Sequence, residues 1–447
     1  MRLGLLLIAA VCTSAETPKL VEPYRSLVEL AHATPPEFAA DAMLRLVESG
    51  KIADRDARRD LIEQAFALSR AGRFPVRMRG VPGTTVDTRS GFLSQAYDLK
   101  LDALSLESRA VQDMLRIDPA QARKLIQEIP PPALAPLTCD DALFYDVADF
   151  YQAVGAIANS AFTDKERAKE EHVNFLLDYI GQATSAAQYL PLAQMIQGAG
   201  VTTEQREILW TKFSGMLQSV PSDGRSLSAL SFSTAQGQAG EIQALIRKSV
   251  KTSGCPDDAA RAGGVPINLL PTVPAKSVTT PKIEHYWQSA EAKRLLEDGV
   301  RLRSTADGKL LTDADRATSE WQQRLADYMS ALAAWGPAAE KFETDYYNEK
   351  CLVYIALVEL IPPGPQRDKT LDSFVDFVSG SSLQQQSPVE WFLQANAMLE
   401  RLRPLNNGGP DKVLEAFERS GNPVLILETT IEKTLGAKAP AWATGTN

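Results

Sequence analysis

The chain has 447 residues, with 47 lysines and arginines against 56 aspartates and glutamates, a net charge of −9. That balance argues against bulk attraction to nucleic acid or anionic lipid. With 44% hydrophobic and 23% charged side chains, the composition is that of a globular chain, neither disordered nor membrane-embedded. The length suits two or three ordinary domains or one elongated repeat array.

In "MRLGLLLIAAVCTSAETPKL" one arginine precedes an apolar run from Leu3 to Val11, and Thr13 and Ala15 are placed for signal-peptidase cleavage. Residues 1–15 therefore read as a signal peptide, and the mature chain as exported to the periplasm or the outside. The run is too short for a transmembrane anchor. Cys12 would accept a lipid only after a small residue, and Val11 stands there. Cleavage leaves Cys139, Cys255 and Cys351, and an oxidising compartment allows one disulfide among them. Cys139 and Cys255 flank loop-like stretches, whereas Cys351 lies inside the apolar run "CLVYIALVELI". The expected pair is Cys139 with Cys255.

Helix starts recur in chain order: "TPPE" from Thr34, "DPAQ" from Asp118, "TCDD" from Thr138, "TDKE" from Thr163, "TTEQ" from Thr202, "TDAD" from Thr312 and "SPVE" from Ser387. Each sets a capping oxygen three residues before a second acceptor, the spacing that satisfies the free N–H groups of a first helical turn. Apolar residues at helical spacing follow. Paired helices are predicted for "AADAMLRLVESG" with "RRDLIEQAFALSRAG", and for "FLSQAYDLKLDALSLESRAVQDMLRI" with "ARKLIQEI" across Asp118-Pro119. Further pairs are "DALFYDVADFYQAVGAIA" with "RAKEEHVNFLLDYIG", and "YYNEKCLVYIALVELI" with "KTLDSFVDFVSG". "PVLILETTI" fits a strand or a short buried helix. Residues 73–91 are irregular, and residues 252–282, rich in proline, glycine and small residues, read as a linker. It divides an N-terminal helical array, 16–251, from a C-terminal helical region, 283–447. The fold class is all-α, with antiparallel helical hairpins in an α-solenoid-like array.

Hairpins joined by capped turns, as in "AVQDMLRIDPAQARKLIQEI", resemble the units of tetratricopeptide-type α-solenoids, which stack into a curved superhelix. No segment carries the full Trp, Leu-Gly, Tyr and Pro pattern of that family at a fixed period. The chain also resembles uncharacterised exported helical proteins of bacteria, a likeness that implies no activity.

Candidate chemistry is sparse. "LTCDDALFYDVADFY" holds four aspartates, but helical spacing puts Leu143, Val147, Phe150 and Val154 on one apolar face and leaves the acids as caps and solvated groups. Asp146 is the one acid set at the edge of that face, where another element can meet it. Arg73, Arg77, Arg79 and Arg89, interleaved with glycines, form a candidate partner-binding loop, because guanidinium forks match carboxylate and phosphate oxygens. The alternative is that these arginines pair with the chain's own acids. His32, His172 and His285 are isolated, so neither a metal nor another cofactor is expected. Aromatics at Tyr286, Trp287, Tyr346, Tyr347 and Trp391 suit interhelical packing or a binding groove. Two functions remain. One is an exported binding or scaffold module for a protein or peptide. The other is a polysaccharide lyase or glycoside hydrolase on a helical toroid, with Asp146, His172 and aromatics converging in a cleft.

Overall fold

The computed structural model describes residues 20–80, 94, 96–220, 223–227, 238–250, 255, 290–336, 343–380, 387–400 and 412–436. The expected signal peptide, Arg89, His285, Tyr286, Trp287 and all of the 252–282 linker except Cys255 lie outside them. The described chain is 72% helix and 3% strand, which makes it all-α.

Three helices come first: α1 (Tyr24–His32), α2 (Pro36–Glu48) and α3 (Arg55–Ser69). The Asp54 carboxylate starts α3 by accepting from the N–H groups of Asp56 and Ala57. Next come α4 (Ala103–Ile117) and α5 (Pro119–Glu128), hinged at Asp118, which accepts from Gln121 N–H while Pro119 opens the second helix. Then follow α6 (Ala148–Ser160), α7 (Asp164–Ala168), α8 (Glu171–Gly181), α9 (Tyr189–Gly198), α10 (Thr203–Ser219) and α11 (Gln238–Ser249). Reciprocal capping boxes form at Thr163 with Glu166 and at Thr202 with Gln205. Helices pack on others one to three places away in the chain: α2 on α3, α3 on α4, α4 on α5 and α6, α6 on α8 and α9, and α10 on α8 and α9.

The remaining helices are α12 (Ala290–Arg303), α13 (Asp313–Arg316), α14 (Ser319–Ala334), α15 (Glu343–Leu360), α16 (Pro365–Gly380), α17 (Pro388–Glu400), α18 (Lys412–Arg419) and α19 (Pro423–Leu435). The "PVLILETTI" run is thus helical, started by Asn422, which accepts from Val424 and Leu425 N–H. Tyr328 Oη of α14 donates to the Leu295 carbonyl and Trp321 Nε1 to that of Leu302, pinning α12 onto α14.

The last described helix returns to the first described ones, with α19 packing on α1 and α2. Arg45 of α2 sits 2.8 Å from Glu428, Lys51 Nζ donates to the Thr434 carbonyl, and Phe38 meets Phe392 of α17 edge-on at 5.2 Å between ring centroids. Beside this seam Arg109 of α4 forks onto Glu48 with two bonds of 2.6 Å and also contacts Asp41. Asp113, 4% exposed, pairs with Arg116.

One predicted helix start becomes something else. Thr138 N–H and Oγ1 do reach Asp141 Oδ2, at 2.6 and 3.0 Å, but they close an isolated turn. The chain then extends as β2 (Leu143–Tyr145), pairing antiparallel with β1 (Met78–Gly80), Met78 opposite Tyr145 and Gly80 opposite Leu143. Helix begins only at Ala148, whose N–H bonds to Asp146 Oδ1. Leu143 and Val147 are still buried, and Val147 joins the main core with Tyr145 of the strand packed against it. Ladder bonds to a distant segment outcompete the local helical pattern.

Candidate functional site

The two-stranded ladder sets the arginine-bearing segment against the aspartate-rich one. Arg77, just before β1, is 7% exposed, and its Nη2 lies 2.9 Å from Asp146 Oδ2 and 3.4 Å from Asp149 Oδ2. Its backbone carbonyl also accepts from Asp146 N–H. Arg79 reaches Asp146 from the solvent side at 3.5 Å, and Lys100 reaches Asp149 at 3.1 Å. Around them, burial lifts the Asp98 carboxyl above the usual range, opposed by Arg79 and Arg77. Asp102, which caps α4 through Ser105 N–H, is pushed up to about 6 by burial against that hydrogen bond. Tyr97 rises to about 12 through burial, reinforced by Asp102, Glu390 and Tyr145.

Two stretches that stand apart in sequence thus neutralise each other. Arg77 clamps the junction of β2 and α6, buried against Asp146 and Asp149. Arg73 and Arg79 are exposed. Asp146 belongs to this clamp, while His172 of α8 is buried beside Phe162, its pKa lowered first by burial and then by Arg167.

Other reactive side chains are equally engaged. Cys139 and Cys255 form a disulfide with Cα atoms 5.5 Å apart. Gly224 lies so close that a Cβ there would sit 3.0 Å from Cys139 Sγ and 3.2 Å from Cys255 Sγ. Cys351 is buried, which raises its thiol to about 12. Its neighbour Lys350, 4% exposed, donates to the Trp335 carbonyl at 2.8 Å and to Tyr346 Oη at 3.0 Å, and stands over the Phe377 ring. Burial lowers its pKa to about 8, yet its place is at the C-terminal end of α14, where free carbonyls attract a cation. Tyr346 and Tyr347 pack on Phe377, so these aromatics are interhelical.

Two cavities flank α12. One, of about 240 Å³, lies between α12 and α14 and is lined by Arg294, Asp298, Arg301, Leu302, Arg324 and Tyr328 among others. The second, of about 160 Å³, is bounded by Leu295, Val300, Val353, Leu357 and Leu360 with Arg303. Tyr328 lines both. No sequence motif singles out these cavities. Half of the first is legible locally: Arg294, Asp298 and Arg301 in "AEAKRLLEDGVRLR" have the spacing that shares one helix face. The facing Arg324 comes from α14, and only the fold brings it there.

No protein-family model matches the chain, and no curated protein or solved structure matches it.

Proposed function

We propose that this is an exported helical protein whose work is to hold a protein or peptide partner. Its helices form an array of hairpins of the α-solenoid kind, a reading supported by the packing of α2 through α10 on helices one to three places away in the chain. The Cys139–Cys255 bridge supports an oxidising compartment, and the acidic net charge supports a partner other than nucleic acid.

The observation that carries the binding role is the pair of cavities beside α12. Volumes of about 160 and 240 Å³ fall below the roughly 300–1,000 Å³ of metabolite pockets and match one or two inserted side chains. Val300, on the helix between them, is 60% exposed. Placing the photo-crosslinker p-benzoylphenylalanine at Val300 in the exported fraction is expected to capture a discrete partner, identified by mass spectrometry. The same probe at the exposed Lys165 is expected to miss it. Identical products from both positions would refute the role.

A further inference from the structure

We infer that the groove between α12 and α14 receives carboxylate side chains from an acidic segment of the partner protein. This rests on the binding role proposed above and specifies its chemistry. On α12, Arg294 and Arg301 share a single carboxylate: Nε of Arg294 is 3.7 Å, and Nη1 of Arg301 3.4 Å, from Asp298. On α14, Arg324 turns to Glu320 of its own helix, and Asp327 accepts from the Gln323 amide. The three guanidinium side chains are 76%, 74% and 53% exposed, against 36% for Asp298. The groove lining thus carries three arginines and two aspartates, with Glu320, 75% exposed, beside Arg324, and the three guanidinium groups face water.

That arrangement is the reverse of the Arg77 clamp, whose acids are buried with their cation. Exposed pairs of the kind seen at Asp298 add little stability, so an incoming carboxylate displaces little. A fork-shaped guanidinium on either wall offers it paired N–H donors. The floor is apolar: Leu302 is 2% exposed, and Tyr328, 6% exposed, has its hydroxyl committed to the Leu295 carbonyl. It accepts the methylenes of a glutamate below the charged rim. A guanidinium rim also matches phosphate, so the test separates an acidic peptide from a simple anion.

The full chain is titrated into fluorescein-labelled hexaglutamate and followed by anisotropy at about 20 mM and about 150 mM salt, across which screening weakens exposed pairs. The expected result is saturable binding that salt weakens. Arg301→Glu and Arg324→Glu, checked for unchanged helicity by circular dichroism, are each expected to weaken it at least about ten-fold. Lys165→Glu leaves it unchanged. Absence of saturable binding, equal binding by Arg301→Glu, or displacement by inorganic phosphate as effective as by unlabelled hexaglutamate would each overturn the inference. Capture at Val300 without hexaglutamate binding removes the acidic segment and keeps the binding role. Loss of capture removes the role itself.

Discussion

Arg77 and Asp146 meet at 2.9 Å with each side chain 9% exposed, although α4 and α5 lie between them in the chain. Each alone reads as a site, one for an anion and one for a cation or a proton. Together they are a buried ion pair, and their value lies in what happens when one partner is removed.

Arg77→Ala leaves Asp146 and Asp149 facing each other with only Arg79 and Lys100 at the solvent side. The expected loss is about 3–5 kcal/mol, the range for stripping one partner from a buried pair. Arg79→Ala, at a side chain 56% exposed, is expected to change stability by less than about 1 kcal/mol. Urea unfolding of both variants checks the contrast; equal small losses would show that water replaces Arg77.

Stability is expected to fall as pH rises toward neutrality. Burial, aided by the Glu48 charge and opposed by Arg109 and Arg116, lifts the Asp113 carboxyl to about 7, and burial lifts Asp102 to about 6. A carboxyl with a higher pKa folded than unfolded takes up a proton on folding. Its contribution is complete below the ordinary value of about 4 and is lost as pH rises through the folded value. Thermal melts between about pH 4 and pH 8 should show this decline. Asp113→Asn should match the parent at the acid end and exceed it at the alkaline end. A variant that tracks the parent throughout would mean that Asp113 titrates normally.

The Cys139–Cys255 bridge joins positions 116 apart in the sequence. Chain-entropy arguments give about 2–5 kcal/mol for such a link, so Cys139→Ser with Cys255→Ser is expected to lower the melting temperature by several degrees. Reductant should shift the parent in the same direction and leave the double variant unmoved. Gly224→Ala tests the same corner, because its new methyl would press on both sulfurs. Indifference to that change would mean that the turn relaxes freely.

Phe38 and Phe392 join α2 to α17 at the seam. Phe38→Ala is expected to cost about 3–5 kcal/mol as a fully buried ring is deleted. A double-mutant cycle with Phe392→Ala should return a coupling of about 0.5–1.5 kcal/mol. Additive losses would mean that the two rings pack independently.

Local signals were readable where local chemistry decides. The boxes at Thr163, Thr202 and Thr312 form as their spacing predicts, and Ser387 exchanges bonds with Glu390. "TPPE" behaves differently: Thr34 turns back to the Ala31 carbonyl, and α2 starts from Pro35 with no side-chain cap. What stayed hidden is non-local. Nothing in "DALFY" announces that Met78–Gly80 is its partner, and so neither the strand nor the fate of Arg77 was visible. Arg324 facing Arg301 depends in the same way on two helices meeting.

The return of α19 onto α1 and α2 changes how this protein can evolve. An open stack of hairpins tolerates gain or loss of a unit at either margin, because each unit leans only on the next. Here the last described helix leans on α1 and, through Glu428 and Arg45, on α2. An added or deleted hairpin would pull that fastening out of register, so lineages of this architecture should vary in loop length and surface charge while keeping their number of helices constant.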